Sequence, residues 1–273
     1  MVLCAGLSAC GRHSRDVPDG QRCTEDGDRR WCAYETEVMH PGVLATRKVH
    51  FQTPVGTPPP EGWPVALLFQ GSFNPASKFW EGTRNGPWGV WWQVGTVEAL
   101  LDAGFAVVTP DAQGGGNTYW NSNVVPWNVS WSGSPDDKLM GALFEAMDDG
   151  TFGPLDPDRR VAAGISSGGY MTSRMALSYP GEFRALAVVS ASWATCAGSL
   201  CTVPDELPSD HPPTLFLHGE KDDVVPLASM EKYADALEAG GHEVRVVTDA
   251  EVGHAWIPAA PEEVVEWFTE HTR

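Results

Sequence analysis

Short apolar runs alternate with amphipathic segments from about residue 34 to the end of the chain. Runs typical of strands lie at residues 43–51, 65–69, 105–109, 160–165, 185–190, 214–218 and 244–248. Helical spacing of apolar positions occurs at residues 91–103, 138–147, 169–178, 227–239 and 262–269. Because strands that alternate with helices need crossover connections, this order predicts an α/β fold with a mostly parallel central sheet flanked by helices.

The domain organisation follows from the same pattern. Residues 1–33 read as a leader followed by a polar tether, whereas residues 34–273 are expected to form one α/β domain without internal repeats. The segment from Ser190 to Pro213, where folds of this kind often insert a lid, is short and carries its own pair of cysteines. We therefore expect no large lid domain and an open site.

Composition and charge exclude several classes of protein. A hydrophobic content of 42% excludes a disordered chain, and no apolar run approaches the roughly 18 residues of a membrane span. The formal net charge of −18 favours solubility and repels nucleic acid, so no nucleic-acid partner is expected. An anionic substrate would need a local basic patch, and none is evident along the sequence.

Four of the six cysteines form two local pairs, Cys23 with Cys32 and Cys196 with Cys201. Neither pair has histidines or carboxylates at the spacing of metal ligands, so we interpret them as disulfides and expect no metal site. Four cysteines allow three pairings, and the sequence alone leaves that choice open. Disulfides indicate an oxidising compartment.

The N-terminal residues also suggest export. Leu7, Ser8, Ala9 and Cys10 have the small-residue pattern of a bacterial lipobox, in which Cys10 would carry the lipid. The stretch before them lacks a basic region and makes a weak signal peptide. We expect a secreted, extracellular protein; anchoring to the outer membrane as a lipoprotein, solely through Cys10, is left open.

A candidate nucleophile lies between a predicted strand and a predicted helix. Residues 164–168 read GISSG, and a serine on a sharp strand-to-helix turn needs close-packed glycines two residues before and two after it. Ser166 has glycine at both positions, whereas Ser167 has Ile165 at one of them. Ser166 is therefore the predicted nucleophile.

The base and the acid are expected later in the chain, because a serine hydroxyl needs a base and the base needs a carboxylate to orient it. His254 lies in the loop after the last predicted strand. Asp222 and Asp223 follow the strand that ends at His218, which gives the order serine, acid, histidine. The Val-Val-Pro run that follows favours Asp222 over Asp223, and His218 is interpreted as a structural residue.

Stabilisation of an oxyanion requires two N–H donors. The backbone N–H of Ser167 is one candidate, and the N–H of Ser72, in the loop after the early buried strand, is the other. Phe73 in that loop and Trp256, two residues after the predicted base, are candidate contacts for the substrate.

Three strings support a resemblance to a known family: GISSGGYMTSRMA at residues 164–176, HGEKDDVVP at residues 218–226 and GHAW at residues 253–256. With their spacing, they resemble the extracellular medium-chain-length polyhydroxyalkanoate depolymerases of bacteria, members of the α/β-hydrolase superfamily. The resemblance implies Ser166 as nucleophile, His254 as base and Asp222 as orienting acid. It also implies hydrolysis of esters in poly(3-hydroxyalkanoates) such as poly(3-hydroxyoctanoate), without a metal or organic cofactor.

The sequence leaves three alternative functions open. A secreted carboxylesterase of the feruloyl-esterase type, acting on small or plant-derived esters, would use the same residues, and so would a serine peptidase. The twelve tryptophans are also compatible with a catalytically inactive polymer-binding protein. The substrate is therefore expected to be a water-insoluble polyester or a small ester.

Overall fold

The computed structural model describes residues 17–42, 45–196 and 201–273. Eleven strands occur in these ranges: β1 (Cys23–Asp26), β2 (Arg29–Cys32), β3 (Glu35–Gly42), β4 (Ala45–Gln52), β5 (Trp63–Phe69), β6 (Glu81–Thr83), β7 (Ala106–Pro110), β8 (Leu155–Ile165), β9 (Ala185–Val189), β10 (Thr214–Gly219) and β11 (Val244–Asp249). The same ranges contain five α-helices: α1 (Val90–Asp102), α2 (Pro135–Asp148), α3 (Ser167–Ser178), α4 (Leu227–Ala239) and α5 (Ala260–His271).

Eight of the strands form one sheet in the order β11-β10-β9-β8-β5-β7-β4-β3. The strands from β11 to β7 are parallel to their neighbours, and β4 and β3 pair antiparallel at one edge. The prediction of a mostly parallel sheet flanked by helices is confirmed. The carboxyl ends of the parallel strands meet at one edge, where ligand sites of open α/β sheets usually lie.

The apolar strands are buried because helices cover both faces of the sheet. Along β5, Ala66 and Leu68 contribute to the core layer formed with α1 and α5, whereas Val65 and Leu67 contribute to the layer formed with α2 and α3. This division follows from the alternation of side chains along a strand.

A small antiparallel sheet, β1-β2-β6, lies outside the main sheet. The disulfide between Cys23 and Cys32 joins β1 to β2, and both cysteines are buried in the core layer of α1. This part of the predicted tether therefore packs against the α/β domain. Residues 1–16, with Cys10 and the lipobox-like stretch, lie outside the described residues.

The segment between β9 and β10 is held against α4. The predicted disulfide between Cys196 and Cys201 is present. His211 donates from Nδ1 to the carbonyl of Pro212 (2.8 Å) and accepts at Nε2 from the Tyr233 hydroxyl (2.6 Å). Burial lowers the pKa of His211 to about 4, which keeps the ring in the neutral form that this pattern requires.

The structure also contains strands that the sequence pattern did not predict. β3 reads ETEVMHPG, and this mostly polar edge strand has no apolar run that would reveal it. β1, β2 and β6 are short and polar, and their pairing depends on the disulfide and on contacts with α1. β8 begins at Leu155, five residues before the predicted strand, while residues 43 and 44 of another predicted strand lie outside the described residues.

Among the described residues, none of the helices combines the length and the apolar character that crossing a membrane requires.

Candidate active site

Ser166 occupies a strained turn between β8 and α3. Its backbone has φ 55° and ψ −121°, a conformation that L-residues rarely adopt. A Cβ on Gly164 would lie 2.3 Å from the carbonyl oxygen of Gly168, and one on Gly168 would lie 2.0 Å from that of Phe69. Both positions therefore require glycine, as predicted from the GISSG motif.

Asp222 and His254 meet beside this turn. Nδ1 of His254 lies 2.7 Å from Oδ2 of Asp222, and the carboxylate is fully buried. Oδ1 of Asp222 accepts hydrogen bonds from the backbone N–H of Val224 (2.9 Å) and Val225 (2.8 Å). Asp223 is exposed, so the structure places Asp222, rather than Asp223, against the imidazole.

The surroundings of Asp222 favour its ionised form. Burial is the largest influence and by itself raises the pKa of this carboxyl, but the hydrogen bonds from His254, Val225 and Val224 outweigh it. The net pKa lies below the ordinary value. Asp222 is therefore a carboxylate that accepts from Nδ1–H and leaves Nε2 of His254 free to accept a proton.

His218 is bonded to the loop that carries Asp222. Its Nε2–H donates to the carbonyl of Val225 (2.9 Å), and the same nitrogen lies 3.4 Å from Oδ2 of Asp222. Burial lowers the pKa of His218, which keeps its ring neutral. The interpretation of His218 as a structural residue is confirmed.

The loop after β5 lies directly against the candidate nucleophile. A methyl group at Gly71 would lie 3.7 Å from Cβ of Ser166, and Ser72 lines the same cavity as Ser166. Ser167 begins α3, where backbone N–H groups have no partner within the helix. The loop after β5 and the first turn of α3, which carry the predicted oxyanion donors Ser72 and Ser167, thus both lie beside Ser166.

Trp120, for which the sequence predicted no role, connects the loop after β5 to the first residue of α3. Its backbone N–H donates to Oγ of Ser167 (2.9 Å), and its indole Nε1–H donates to the carbonyl of Gln70 (3.0 Å). The side chain is fully buried and packs edge-on against Phe69. Trp120 belongs to a glycine-rich loop 50 residues along the chain from Gln70, so local pattern gave no signal for this contact.

A cavity of about 180 Å³ lies against Ser166 and His254. Its apolar side chains are Phe73, Trp88, Ile165 and Val224. Of these, only Phe73 was predicted from the sequence as a contact for the substrate. Trp88 stands in a Gly-Pro-Trp-Gly turn before α1, and an aromatic residue in such a turn is the signal that would have found it.

Phe73 and Trp88 are held at the cavity in positive-φ conformations. Phe73 has φ 59° and an exposed fraction of 71%, and Trp88 has φ 60° and an exposed fraction of 46%. The backbone N–H of Phe73 donates to the carbonyl of Thr118 (2.9 Å), and the carbonyl of Trp88 accepts from the side chain of Gln93 (2.8 Å). Non-glycine residues with this backbone geometry cluster at functional sites, where neighbouring contacts offset the strain.

Trp256 does not line the cavity, contrary to the prediction. It is buried, its indole N–H donates to Oγ1 of Thr96 (2.9 Å), and its ring packs edge-on against Phe79. Its backbone N–H donates to the carbonyl of Trp88 (3.1 Å). Trp256 therefore supports Trp88, whose ring lies edge-on to that of His254 with centroids 6.0 Å apart.

Comparison with known proteins gives one partial and one extensive sequence match. Residues 201–273, which include Asp222 and His254 but not Ser166, match the prolyl oligopeptidase family of peptidases. A poly(3-hydroxyoctanoate) depolymerase of Pseudomonas fluorescens is 47% identical over 240 residues, which span 88% of this chain and 85% of that protein.

Solved structures with the same fold include esterases. A thermostable esterase superimposes with a TM-score of 0.63 at 20% identity, covering 88% of this chain and 63% of its own. Thermogutta terrifontis esterase 2, phosphoramylated by tabun, gives a TM-score of 0.56 at 17% identity, covering 86% and 92%. At these identities the likeness shows the fold.

The fold and these relatives define a serine hydrolase of the α/β-hydrolase class that acts on esters. Within that class, the identity to the Pseudomonas protein is high and extends over most of both chains. The chain belongs to the poly(3-hydroxyoctanoate) depolymerase family. The resemblance drawn from the three sequence strings is confirmed.

The contact between Asp222 and His254 can be tested with paired substitutions. We expect Asp222→Asn to lower kcat by about 10³–10⁴-fold, because an amide no longer holds the imidazole in the reactive tautomer. Asp223→Asn, an equal change at the neighbouring exposed position, should leave kcat unchanged. Turnover of a p-nitrophenyl ester measures both, and equal losses in the two variants would contradict the assignment of Asp222.

Proposed function

We propose that this protein hydrolyses ester bonds in medium-chain-length poly(3-hydroxyalkanoates), with Ser166 as nucleophile, His254 as base and Asp222 as orienting acid. The observation that carries the proposal is that Ser166 and His254 line one apolar cavity while His254 is hydrogen-bonded to the buried Asp222. The depolymerase relative supports the choice of substrate.

The reaction proceeds by two acyl transfers. Nε2 of His254 takes the proton of the Ser166 hydroxyl as Oγ attacks the ester carbonyl, and the N–H groups of Ser72 and Ser167 stabilise the oxyanion. The bond from carbon to the alcohol oxygen then breaks, and the imidazolium of His254 protonates that oxygen. A water molecule, deprotonated by His254, attacks the acyl-enzyme and releases the hydroxyacyl chain as an acid with Ser166 restored.

The rim of the cavity suits a neutral, apolar polyester. Phe73, Trp88 and Val224 expose 71%, 46% and 54% of their surface beside the nucleophile. Covering apolar surface contributes roughly 25 cal/mol per Å². None of the described residues between β9 and β10, where a lid would be inserted, lines the cavity. A chain at the surface of a water-insoluble particle can therefore reach Ser166.

Two disulfides are typical of a protein exported to an oxidising compartment, and export also suits a substrate too large to enter a cell. The proposal includes a lipid attached to Cys10, which the lipobox-like residues 7–10 favour.

We expect Ser166→Ala to lose all detectable clearing of a poly(3-hydroxyoctanoate) latex, because alanine has no hydroxyl with which to form the acyl-enzyme. Thermal unfolding that matches the wild type would show that the fold is intact. Clearing by the variant would refute Ser166 as the nucleophile. Wild-type protein that turns over short p-nitrophenyl esters but leaves the latex unchanged would instead indicate a carboxylesterase, and cleavage of casein would indicate a peptidase.

Phe73→Ala and Trp88→Ala test the apolar rim. Each should slow latex clearing about fivefold while changing turnover of p-nitrophenyl acetate much less, because only the polymer covers both aromatic side chains. Val246→Ala removes another exposed apolar side chain, on β11 away from the cavity, and serves as the control. Equal effects on polymer and acetate ester would show that the rim does not select the substrate.

Lipid attachment is tested by expressing the chain with its natural leader in a bacterial host and separating membranes from the medium. Wild-type protein should label with a radioactive fatty acid and sediment with membranes, because two or more acyl chains anchor a protein stably. Cys10→Ser should be unlabelled and soluble. Identical fractionation of the two proteins would exclude an anchor at Cys10.

A further inference from the structure

A second cavity, of about 160 Å³, adjoins the catalytic one, and Asn74 lines both. Three cationic side chains, those of Arg29, Arg30 and Lys78, line this second cavity together with Glu81. The chain has 18 lysines and arginines against 36 carboxylates, so a group of three cations beside the active site is unusual for it. The local basic patch that was not evident along the sequence is thus assembled by the fold.

Two of the three cations in this basic cavity have carboxylate partners. Lys78 lies 3.6 Å from Glu81, and Arg30 pairs with Glu25 at 3.0 Å and with Glu98 at 3.6 Å. Arg29 makes no ion pair with any of the described residues. Within the described part of the chain, Arg29 is therefore the cation of this cavity without an ion pair, and its side chain is exposed.

The backbone that carries the two arginines is held in the small sheet. Arg29 and Arg30 belong to β2, which pairs with β1 on one side and with β6 on the other, and the buried disulfide closes the hairpin. The guanidinium of Arg30 stacks 4.3 Å from the ring centroid of Trp91. A site held in place before binding loses less conformational entropy when it takes up a ligand.

We propose that the basic cavity binds the carboxylate at the acid end of a 3-hydroxyalkanoate chain, next to the ester bond that Ser166 cleaves. This inference rests on the proposed function. Each unit of such a chain has a hydroxyl at one end and a carboxyl at the other. When Ser166 acylates, the fragment that departs as the alcohol is the one that carries the carboxyl end of the chain.

Arginine and lysine side chains are the groups that recognise carboxylates, and the reaction itself generates a carboxylate at every cleavage. A terminal carboxylate in the basic cavity would place the last ester bonds of the chain at Ser166 and favour short products. It would also let the free hydroxyacid product compete for the same position.

The test compares two substrates that differ in one charge: the ester dimer of 3-hydroxyoctanoate with its free carboxylate, and the methyl ester of that dimer. The ratio of kcat/KM for the acid to that for the methyl ester isolates recognition of the carboxylate. We expect Arg29→Gln to lower this ratio about tenfold, the effect of losing a hydrogen bond to a charged group, and Lys78→Gln to lower it in the same direction.

Lys232→Gln removes an exposed lysine on α4 and should keep the wild-type ratio. If Arg29→Gln and Lys78→Gln also keep the wild-type ratio, the basic cavity does not recognise the carboxylate. If the ratio falls in these variants while free 3-hydroxyoctanoate still inhibits them as it inhibits the wild type, the basic cavity binds the carboxylate of the chain end only. If that inhibition is lost as well, the cavity binds both the chain end and the free product.

Binding measured without turnover separates this inference from the proposed function. In the Ser166→Ala background, an NMR titration with sodium 3-hydroxyoctanoate should show a Kd about tenfold higher when Arg29→Gln is added. Titration with methyl 3-hydroxyoctanoate should give the same Kd in both proteins. Equal affinity of the two proteins for the acid would overturn the carboxylate site, even if the polyester is hydrolysed. A difference in affinity would uphold it even if hydrolysis fails.

Discussion

The close packing of Gly168 against the backbone of β5 is the constraint on which the rest of the site depends. A Cβ at Gly168 would lie 2.0 Å from the carbonyl oxygen of Phe69, so α3 can begin directly beside β5 only because this residue has no side chain. Two residues before this contact, the turn at Ser166 has φ 55° and ψ −121°. The same contact brings the loop after β5 against Ser166, and the candidate oxyanion donors therefore depend on it too.

Strain is concentrated around this point. In the described part of the chain, the non-glycine residues with positive φ are Phe73, Trp88, Ser166 and Ser190. Three of them line the catalytic cavity, and the hydroxyl of Ser190 donates to the carbonyl of Ala255, next to His254. Such conformations cost about 1–3 kcal/mol each, and hydrogen bonds to neighbouring segments offset that cost. Hydrogen bonds between loops therefore connect the segments around the site.

Electrostatics divides the surface near Ser166 into two regions. Phe73, Trp88, Ile165 and Val224 give the catalytic cavity an apolar lining, and the buried Asp222 is hydrogen-bonded to His254 at its edge. The adjoining basic cavity concentrates Arg29, Arg30 and Lys78 in a protein whose net charge is −18. An ester chain that ends in a carboxylate has the same two parts, an apolar body and one negative charge.

The sequence by itself determined the α/β fold, the parallel sheet and the spacing of Ser166, Asp222 and His254, because short-range rules of periodicity and turn sterics govern them. It indicated two local cysteine pairs, and the structure shows that each pair forms a disulfide. The sequence could not give the edge strand β3 or the small sheet, whose pairing depends on partners distant in the chain.

Only the tertiary structure decided that Asp222 rather than Asp223 meets the imidazole, that Trp256 is buried and bonded to the backbone of Trp88, and that Trp120 joins the loop after β5 to the start of α3. The reason is physical: each of these depends on which side chains distant segments bring within hydrogen-bonding distance, and no local pattern records that.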